Sequence, residues 1–406
     1  GDEVSAASAW AKHAMALARQ GRAEDARAVA WPLWQRFRDD PNAARAALDL
    51  STALVTGSGR DSVEDDLLPV LDDRARIAEK IGDPGELADS VLAIALRYMD
   101  AGIMTLATTL LAMSADIARA EKLPLPLTRA LLNQCAYLVG SDAALAVTTG
   151  EEAVVSGRRC GVLYWTSVAR LNLALALWVR GDWEASRAVV GSEDPWAPGG
   201  DIASVVAIDH MLARATGRGR ALSILEPEAS TLHSTFDQAW AHFARAGRLA
   251  LDGDLETARD LALEATRGYG VIYDDYLHMF ELASDLVLEL DDREAERELL
   301  TQVDGVNAVV PLGVRAHRAR HAARAAARDG AEPAEVEQLL RETLRLYREW
   351  GALAHAARSE GELGAWLLRQ GRSEEAEPLL ASARGELEAR GALGWLEQLD
   401  LVRAEA

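Results

Sequence analysis

Seven basic side chains crowd the stretch from Arg315 to Arg328: Arg315, His317, Arg318, Arg320, His321, Arg324 and Arg328. No Asp or Glu falls between Asp304 and Asp329, in a chain that holds 64 acidic residues among 406. A planar guanidinium grips a carboxylate or phosphate through two parallel N–H donors, so such a run is suited to holding an anion. Two readings follow. Either the run is an electropositive patch for an anionic ligand or acidic peptide, or its arginines pair with glutamates on adjacent helices, such as Glu335, Glu337 and Glu342.

Other chemistry is sparse. His317 and His321 stand four apart and share a helix face. That spacing can chelate a metal, but no third ligand is evident and the arginine neighbours repel a cation, so no metal is expected. His233, His242 and His278 read as isolated residues. The acidic pairs Asp274-Asp275 and Asp291-Asp292 invite comparison with magnesium-binding helices, but Tyr276, Leu277 and His278 follow the first pair where a further carboxylate is required. The second pair sits at a predicted turn, and both read as solvated acidic positions. There is no Gly-Lys-Ser/Thr phosphate loop, no Gly-x-Gly-x-x-Gly after a strand, no Gly-x-Ser-x-Gly elbow and no metal-binding Cys pair. Gly217-Arg218-Gly219-Arg220 lies at a helix–helix turn. No catalytic residue and no cofactor are expected; the chain does not read as an enzyme.

The elements that must position the basic run come from a repeat. A Gly or Asp ends an apolar helix, and a small residue follows five positions on: Gly21 with Ala26, Gly102 with Ala107, Gly181 with Ser186, Gly253 with Ala258 and Gly371 with Ala376. The corners are 81, 79, 72 and 118 residues apart, which divides into units of 36 to 41. The intermediate corners then fall at Gly59-Arg60, Gly140-Ser141-Asp142, Gly217-Arg218, Asp291-Asp292 and Gly330. Seven residues before the corner stands a small side chain in Ala14, Ala95, Ala174, Ala246, Ser284, Ala323 and Gly364, so the two helices of a pair can approach closely. A left-handed Gly closes the first helix and an Asp or Ser caps the second. The pattern predicts an all-α, superhelical α-solenoid of about ten antiparallel helix hairpins, in which each pair buries its apolar face mainly against its neighbours.

A small residue, an apolar residue or Tyr three later, then Gly, then Ala five beyond resembles the tetratricopeptide (TPR) consensus. The match is plainest at Gly364, Leu367, Gly371, Ala376 and Ala383, and Tyr98 fills the aromatic position of an earlier unit. The units are longer than the usual repeat, and several lack its Trp and terminal Pro. Long units of this kind resemble the C-terminal sensor arms of bacterial signalling ATPases, either maltose-activator-like or of the cyclase–ATPase–TPR type. The closing segment from Gly361 through Gly391-Ala392-Leu393-Gly394-Trp395 is the part most similar to them. The resemblance implies that the first helix of each pair lines a concave groove. Counted back from Gly330, the groove positions are His317, Arg320, His321, Arg324 and Arg328, with Arg358 equivalent in the next unit and His278, Glu281 and Asp285 in the preceding one. It implies a protein, peptide or small anionic ligand as partner. It also implies a sensor or regulatory role in a larger ATP-dependent signalling or transcription regulator whose other domains are covalently attached. The alternatives are a protein–protein scaffold without a small ligand and, further off, a magnesium-dependent helical enzyme. Trp178, Trp240, Trp350 and Trp366 are groove anchors or, by default, core residues.

Composition agrees. Hydrophobic residues make up 49% and charged residues 26%, and Ala, Leu, Arg and Glu favour helices. The net charge of −21 opposes direct nucleic-acid binding and attachment to anionic membranes. No apolar run is long enough to span a bilayer. Two cysteines, Cys135 and Cys160, make no disulfide framework, which points to the cytoplasm. The start Gly1-Asp2-Glu3 lacks an initiator Met and suggests a processed tag or a piece of a longer polypeptide. The segment 191–200, with Pro195 and Pro198, divides the expected repeats into 1–190 and 201–406, the latter with a terminal helix; 305–313 is a second hinge candidate. Pro32 and Pro378 fall in expected second helices.

Overall fold

The computed structural model describes the chain apart from residues 1, 21, 58–66, 198–199, 219–226, 233, 269, 272–274, 307–308 and 405–406. Gly21, Gly59-Arg60, Gly219-Arg220, His233 and Asp274 therefore lie outside the described residues. Among the described residues there are twenty α-helices, one short 3-10 turn and no strand. The chain divides into two compact units, Gly1–Ala130 and Leu131–Ala406.

The first unit contains α1 (Asp2–Arg19), α2 (Ala23–Phe37), α3 (Ala44–Gly57), α4 (Leu67–Ile81), α5 (Pro84–Asp100) and α6 (Met104–Ala120); α7 (Pro124–Val139) carries the boundary. Its core gathers Ala14, Trp34, Leu48, Leu50 and Ile77 between the helices. Pro32 lies inside α2. Close approach of α5 and α6 lets the Ser114 hydroxyl donate to the Ala88 carbonyl at 2.8 Å.

The second unit continues with α8 (Ala143–Cys160), α9 (Leu163–Arg180), α10 (Trp183–Val190), α11 (Gly200–Thr216), α12 (Thr235–Asp252), α13 (Leu255–Arg267) and α14 (Tyr276–Glu289). It ends with α15 (Arg293–Asp304), α16 (Leu312–Arg328), α17 (Pro333–Trp350), α18 (Leu353–Arg369), α19 (Ser373–Ala389) and α20 (Leu393–Ala404). The corners fall where the spacing places them. Gly181 closes α9 at φ +90°, a conformation that a side chain would oppose. The corner after α14 uses Asp291 at φ +51° instead. Asp142, Asp254 and Asp292 accept backbone N–H bonds at the starts of α8, α13 and α15, whereas Asp182 makes no side-chain cap. The small residues do the packing assigned to them: Ala174 and Ser186 are buried, and the Ser186 hydroxyl donates to the Ala174 carbonyl at 2.8 Å. A Cβ on Gly364 would stand 2.8 Å from Leu380 Cγ, so only Gly permits α18 and α19 to meet this closely. Pro378 lies inside α19.

Two features depart from a plain ladder of hairpins. After α11 and Gly217 the second helix of that pair would fall largely on 219–226, outside the described residues; the 3-10 turn Ala229–Thr231 follows, and α11 packs directly on α12. The second unit also closes on itself. α9 meets α18, and α11 meets α20. The Trp350 indole N–H donates to the Val139 carbonyl at 2.7 Å, and the Gly313 N–H to the Gly140 carbonyl at 2.8 Å. Contacts are thus not confined to neighbouring pairs, and the inner face of the first helices bounds an interior space.

Candidate functional site

Three successive first helices, α14, α16 and α18, bring matched positions together because the repeat there is 39 and then 38 residues long. His278, His317 and His355 form one such ladder; Glu281, Arg320 and Arg358 a second; Asp285, Arg324 and Glu362 a third. Charges of opposite sign therefore meet across helices.

Asp285 is the hub. Arg320 Nη1 donates to its Oδ1 at 2.7 Å, Arg324 Nη1 reaches the same oxygen, and Arg358 Nη2 donates to Oδ2 at 3.2 Å. Arg320 also grips Glu362, with Nη2 at 2.6 Å and Nε at 3.1 Å from Oε1. Arg358 adds Gln398 at 3.1 Å and lies over the Trp395 ring at 4.8 Å. Burial alone would raise the Asp285 carboxyl, but Arg320, then Arg358, Arg324 and Arg214, override it and hold the group well below the usual carboxylate range. Glu362 is lowered in the same way, against its own burial, chiefly by Arg320 and then Arg358.

The six residues nominated from the sequence separate into three sets. Arg320, Arg324 and Arg358 line a cavity of about 450 Å³. His321 instead meets Glu296 at 2.9 Å, and Arg328 meets the same carboxylate at 2.8 Å. His317 sits beside the Tyr347 hydroxyl at 2.9 Å, with its other nitrogen 3.9 Å from Glu281. The His317/His321 pair is thereby split between two carboxylates. The partners of the run also differ from those the sequence suggests. Glu337 pairs with Arg341 and Arg372, and Glu342 with Arg345, while Arg320, Arg324 and Arg358 take Glu281, Asp285 and Glu362. Of the four tryptophans, Trp178, Trp240 and Trp350 are buried, and Trp366 lines the cavity.

Sequence reasoning misses Arg214 of α11. Its guanidinium makes no hydrogen bond or ion pair among the described residues, although it lines both the larger cavity and an adjoining one of about 300 Å³. Desolvation lowers its pKa; Asp285 and then Glu281 and Glu289 offset this in part, while the Arg358 charge adds to the lowering. The walls of the larger cavity hold five arginines (214, 320, 324, 358 and 369) against three carboxylates (Asp285, Glu289 and Glu362). Trp366, Trp395 and leucines complete them. The space is therefore positively charged and apolar-sided, within the size range of small-molecule sites. The one signal in the sequence is a single Arg in an otherwise apolar helix turn, Met211–Ala215.

The smaller cavity is lined by His278 and Glu281. Burial pushes both His278 and His317 down to about 3, despite the nearby Glu281 carboxylate, so both rings are neutral at pH 7. Glu281 is lowered despite its own burial, first by His355 and His317 and then by Arg358.

The helix that presents Arg214 also carries an uncompensated carboxylate. Asp201, in the first turn of α11, has Oδ2 buried without a hydrogen-bond partner among the described residues. Burial, and then Asp237, pushes it up to about 6. A raised carboxyl favours the fold most below its unfolded value near 4, and that advantage is lost as pH rises through 6. Asp201→Asn should therefore stabilise the protein by about 2 kcal/mol at pH 7, allowing for solvent screening, and by nothing near pH 4. Urea melts at the two pH values check this; an equal gain at both would contradict it.

Fold and site together define a TPR-like helical repeat array with a basic interior cavity. No family model matches the chain, and no curated protein matches it. Among solved structures it is similar to the apo form of the quorum sensor NprR from B. thuringiensis, at TM-score 0.44 and 13% identity, over 95% of this chain and 99% of that one. It is also similar to a Rap protein complexed with competence and sporulation factor, at TM-score 0.45 and 10% identity, over 95% of this chain and 99% of that one. At such values the architecture rests on the helices described above, and function rests on the cavity. No described helix is long and apolar enough to cross a membrane.

Proposed function

We propose that the chain is a ligand-binding regulatory module whose second unit captures an anionic ligand, a short peptide with a free carboxylate or a small organic acid, in the cavity bounded by Arg214, Arg320, Arg324 and Arg358. The observation that carries this reading is Arg214: a desolvated guanidinium facing a cavity with more arginines than carboxylates and no partner among the described residues. The half-buried Arg214 charge feels Asp285 without a direct hydrogen bond, and an anion entering the cavity would supply that direct partner. Such a ligand would tie α11 to α16 and α18 and stabilise the closed form of the unit. The output would be that of a sensor arm in a larger ATP-dependent signalling protein, as the resemblance of the sequence implies.

The test is a thermal-shift and calorimetric comparison using citrate and a set of short peptides, each with a free or an amidated C-terminus. Free-carboxylate ligands should raise the melting temperature and amidated ones should not. Arg214→Gln should weaken binding at least about tenfold, the loss of one charge-assisted contact. If no anion shifts the melting temperature, or if Arg214→Gln binds as well as the unsubstituted chain, the proposal fails.

A further inference from the structure

We infer that Glu281, His317 and His355 form a binding site for a transition-metal dication of the zinc type, with a further coordination position facing the smaller cavity. The three residues come from α14, α16 and α18, and their donor atoms all lie within 4.8 Å of one another. A His355 nitrogen is 3.3 Å from Glu281, and His317 Nε2 is 3.9 Å from it. Tetrahedral zinc at about 2.0–2.1 Å from each ligand sets its donors about 3.3 Å apart, so small side-chain rotations bring all three into place.

Unmet polar atoms concentrate here. His317 Nε2, His355 Nδ1 and both ring nitrogens of His278 are buried without hydrogen-bond partners among the described residues. Leaving such an atom unsatisfied forfeits its hydration without return, and several together call for an occupant. A metal would take up His317 Nε2 directly. Tyr347 already fixes that ring through Nδ1 at 2.9 Å, the outer contact that orients a ligating imidazole. His278 stands one turn before Glu281 on α14 and lines the smaller cavity with it, placed to supply a fourth donor or to contact a molecule bound at the open position.

The neighbouring arginines do not exclude a cation. Arg320 is committed to Asp285 and Glu362, and Arg358 to Asp285 and Gln398. Among the described residues the nearest guanidinium nitrogen to Glu281 is 3.6 Å away, farther than His355, so this carboxylate is not locked in a bidentate fork. Imidazole and carboxylate donors suit zinc, nickel, copper or iron better than magnesium or calcium. The site does not depend on the anion-binding reading, because metal uptake requires no second ligand.

The test uses the tag-free full chain, stripped with chelator and then titrated with Co²⁺ or Zn²⁺. One ion per chain should bind; Co²⁺ should acquire the visible bands of a four-coordinate nitrogen–oxygen site, Zn²⁺ should displace it, and the melting temperature should rise. Glu281→Gln, His317→Gln and His355→Gln, checked for unchanged helicity by circular dichroism, should each bind about 100-fold more weakly or worse. His321→Gln, whose ring meets Glu296 instead, should bind like the unsubstituted chain. The assignment is overturned if the unsubstituted chain takes up no ion, if folded Glu281→Gln retains full affinity, or if His321→Gln loses binding while His317→Gln keeps it.

Discussion

Replacing Arg320 by Ala should cost about 3–5 kcal/mol of stability at pH 7, among the largest losses available to a single substitution in this chain. Arg320 is 5% exposed and is the only described residue that binds both Asp285 and Glu362. Removing it leaves two buried carboxylates short of a donor, and the penalty is their desolvation rather than the net worth of the pair. Arg320→Lys should recover only part of the loss, since a single ammonium cannot reproduce a planar fork between two carboxylates. The pH dependence has a definite sign. Both carboxyls are lowered in the folded protein, so their contribution is fully present above the unfolded value near 4 and is lost only as pH falls through the lower folded value. The difference between Arg320→Ala and the unsubstituted chain should thus be largest near neutrality and shrink below about pH 4. Urea melts across that range measure it. A difference below about 1 kcal/mol at pH 7 would mean that Asp285 and Glu362 are hydrated, as in an exposed pair, and that the network is a surface feature.

Much of the framework is legible in the sequence because its constraints are local. A left-handed corner favours Gly, which marks Gly181 and Gly253; a close helix crossing demands a small side chain, which marks Ala174, Ser186 and Gly364. Each requirement acts within one pair and so leaves a periodic trace. Of the expected groove positions, His317 meets Tyr347 and both His321 and Arg328 meet Glu296, whereas Arg320, Arg324 and Arg358 line a cavity. Their partners were not legible by looking to the neighbouring second helix, where Glu337 and Glu342 are taken by Arg341, Arg372 and Arg345. The relevant partners lie on the first helices, one repeat away for Arg320 and Arg324 and two for Arg358. The fixed-phase register that already sets His278, Glu281 and Asp285 beside the basic run also aligns Asp285 with Arg324 and Glu362, and His278 with His317 and His355. Arg214 was hidden for a different reason. It lies on α11, which meets α20 only because the unit closes, and periodicity records the phase of a helix but not the curvature accumulated over many.

That closure is where Trp350 acts, and Trp350→Ala should lower stability by about 3–5 kcal/mol. The ring is 1% exposed and packs against His317 with centroids 5.6 Å apart. A Cβ added to Gly313 would stand 2.7 Å from its Cζ2, so the first turn of α16 is built around the indole. Its N–H reaches the Val139 carbonyl, 211 residues earlier in sequence. Trp350→Phe keeps most of the volume but leaves that carbonyl without the indole donor, a loss of about 1–3 kcal/mol. Gly313→Ala should be costly too, because a rigid ring cannot yield as a flexible chain end would. The position of the effect is more telling than its size. In an array held only by neighbouring contacts, damage at the end of α17 would spread to α16 and α18 and stop. Here Trp350→Ala should also reduce hydrogen-exchange protection at the end of α7 and in α8, while α12 and α13 keep theirs. Protection lost only from α16 to α18 would show that the long-range bond carries no stability, and that the unit opens without it.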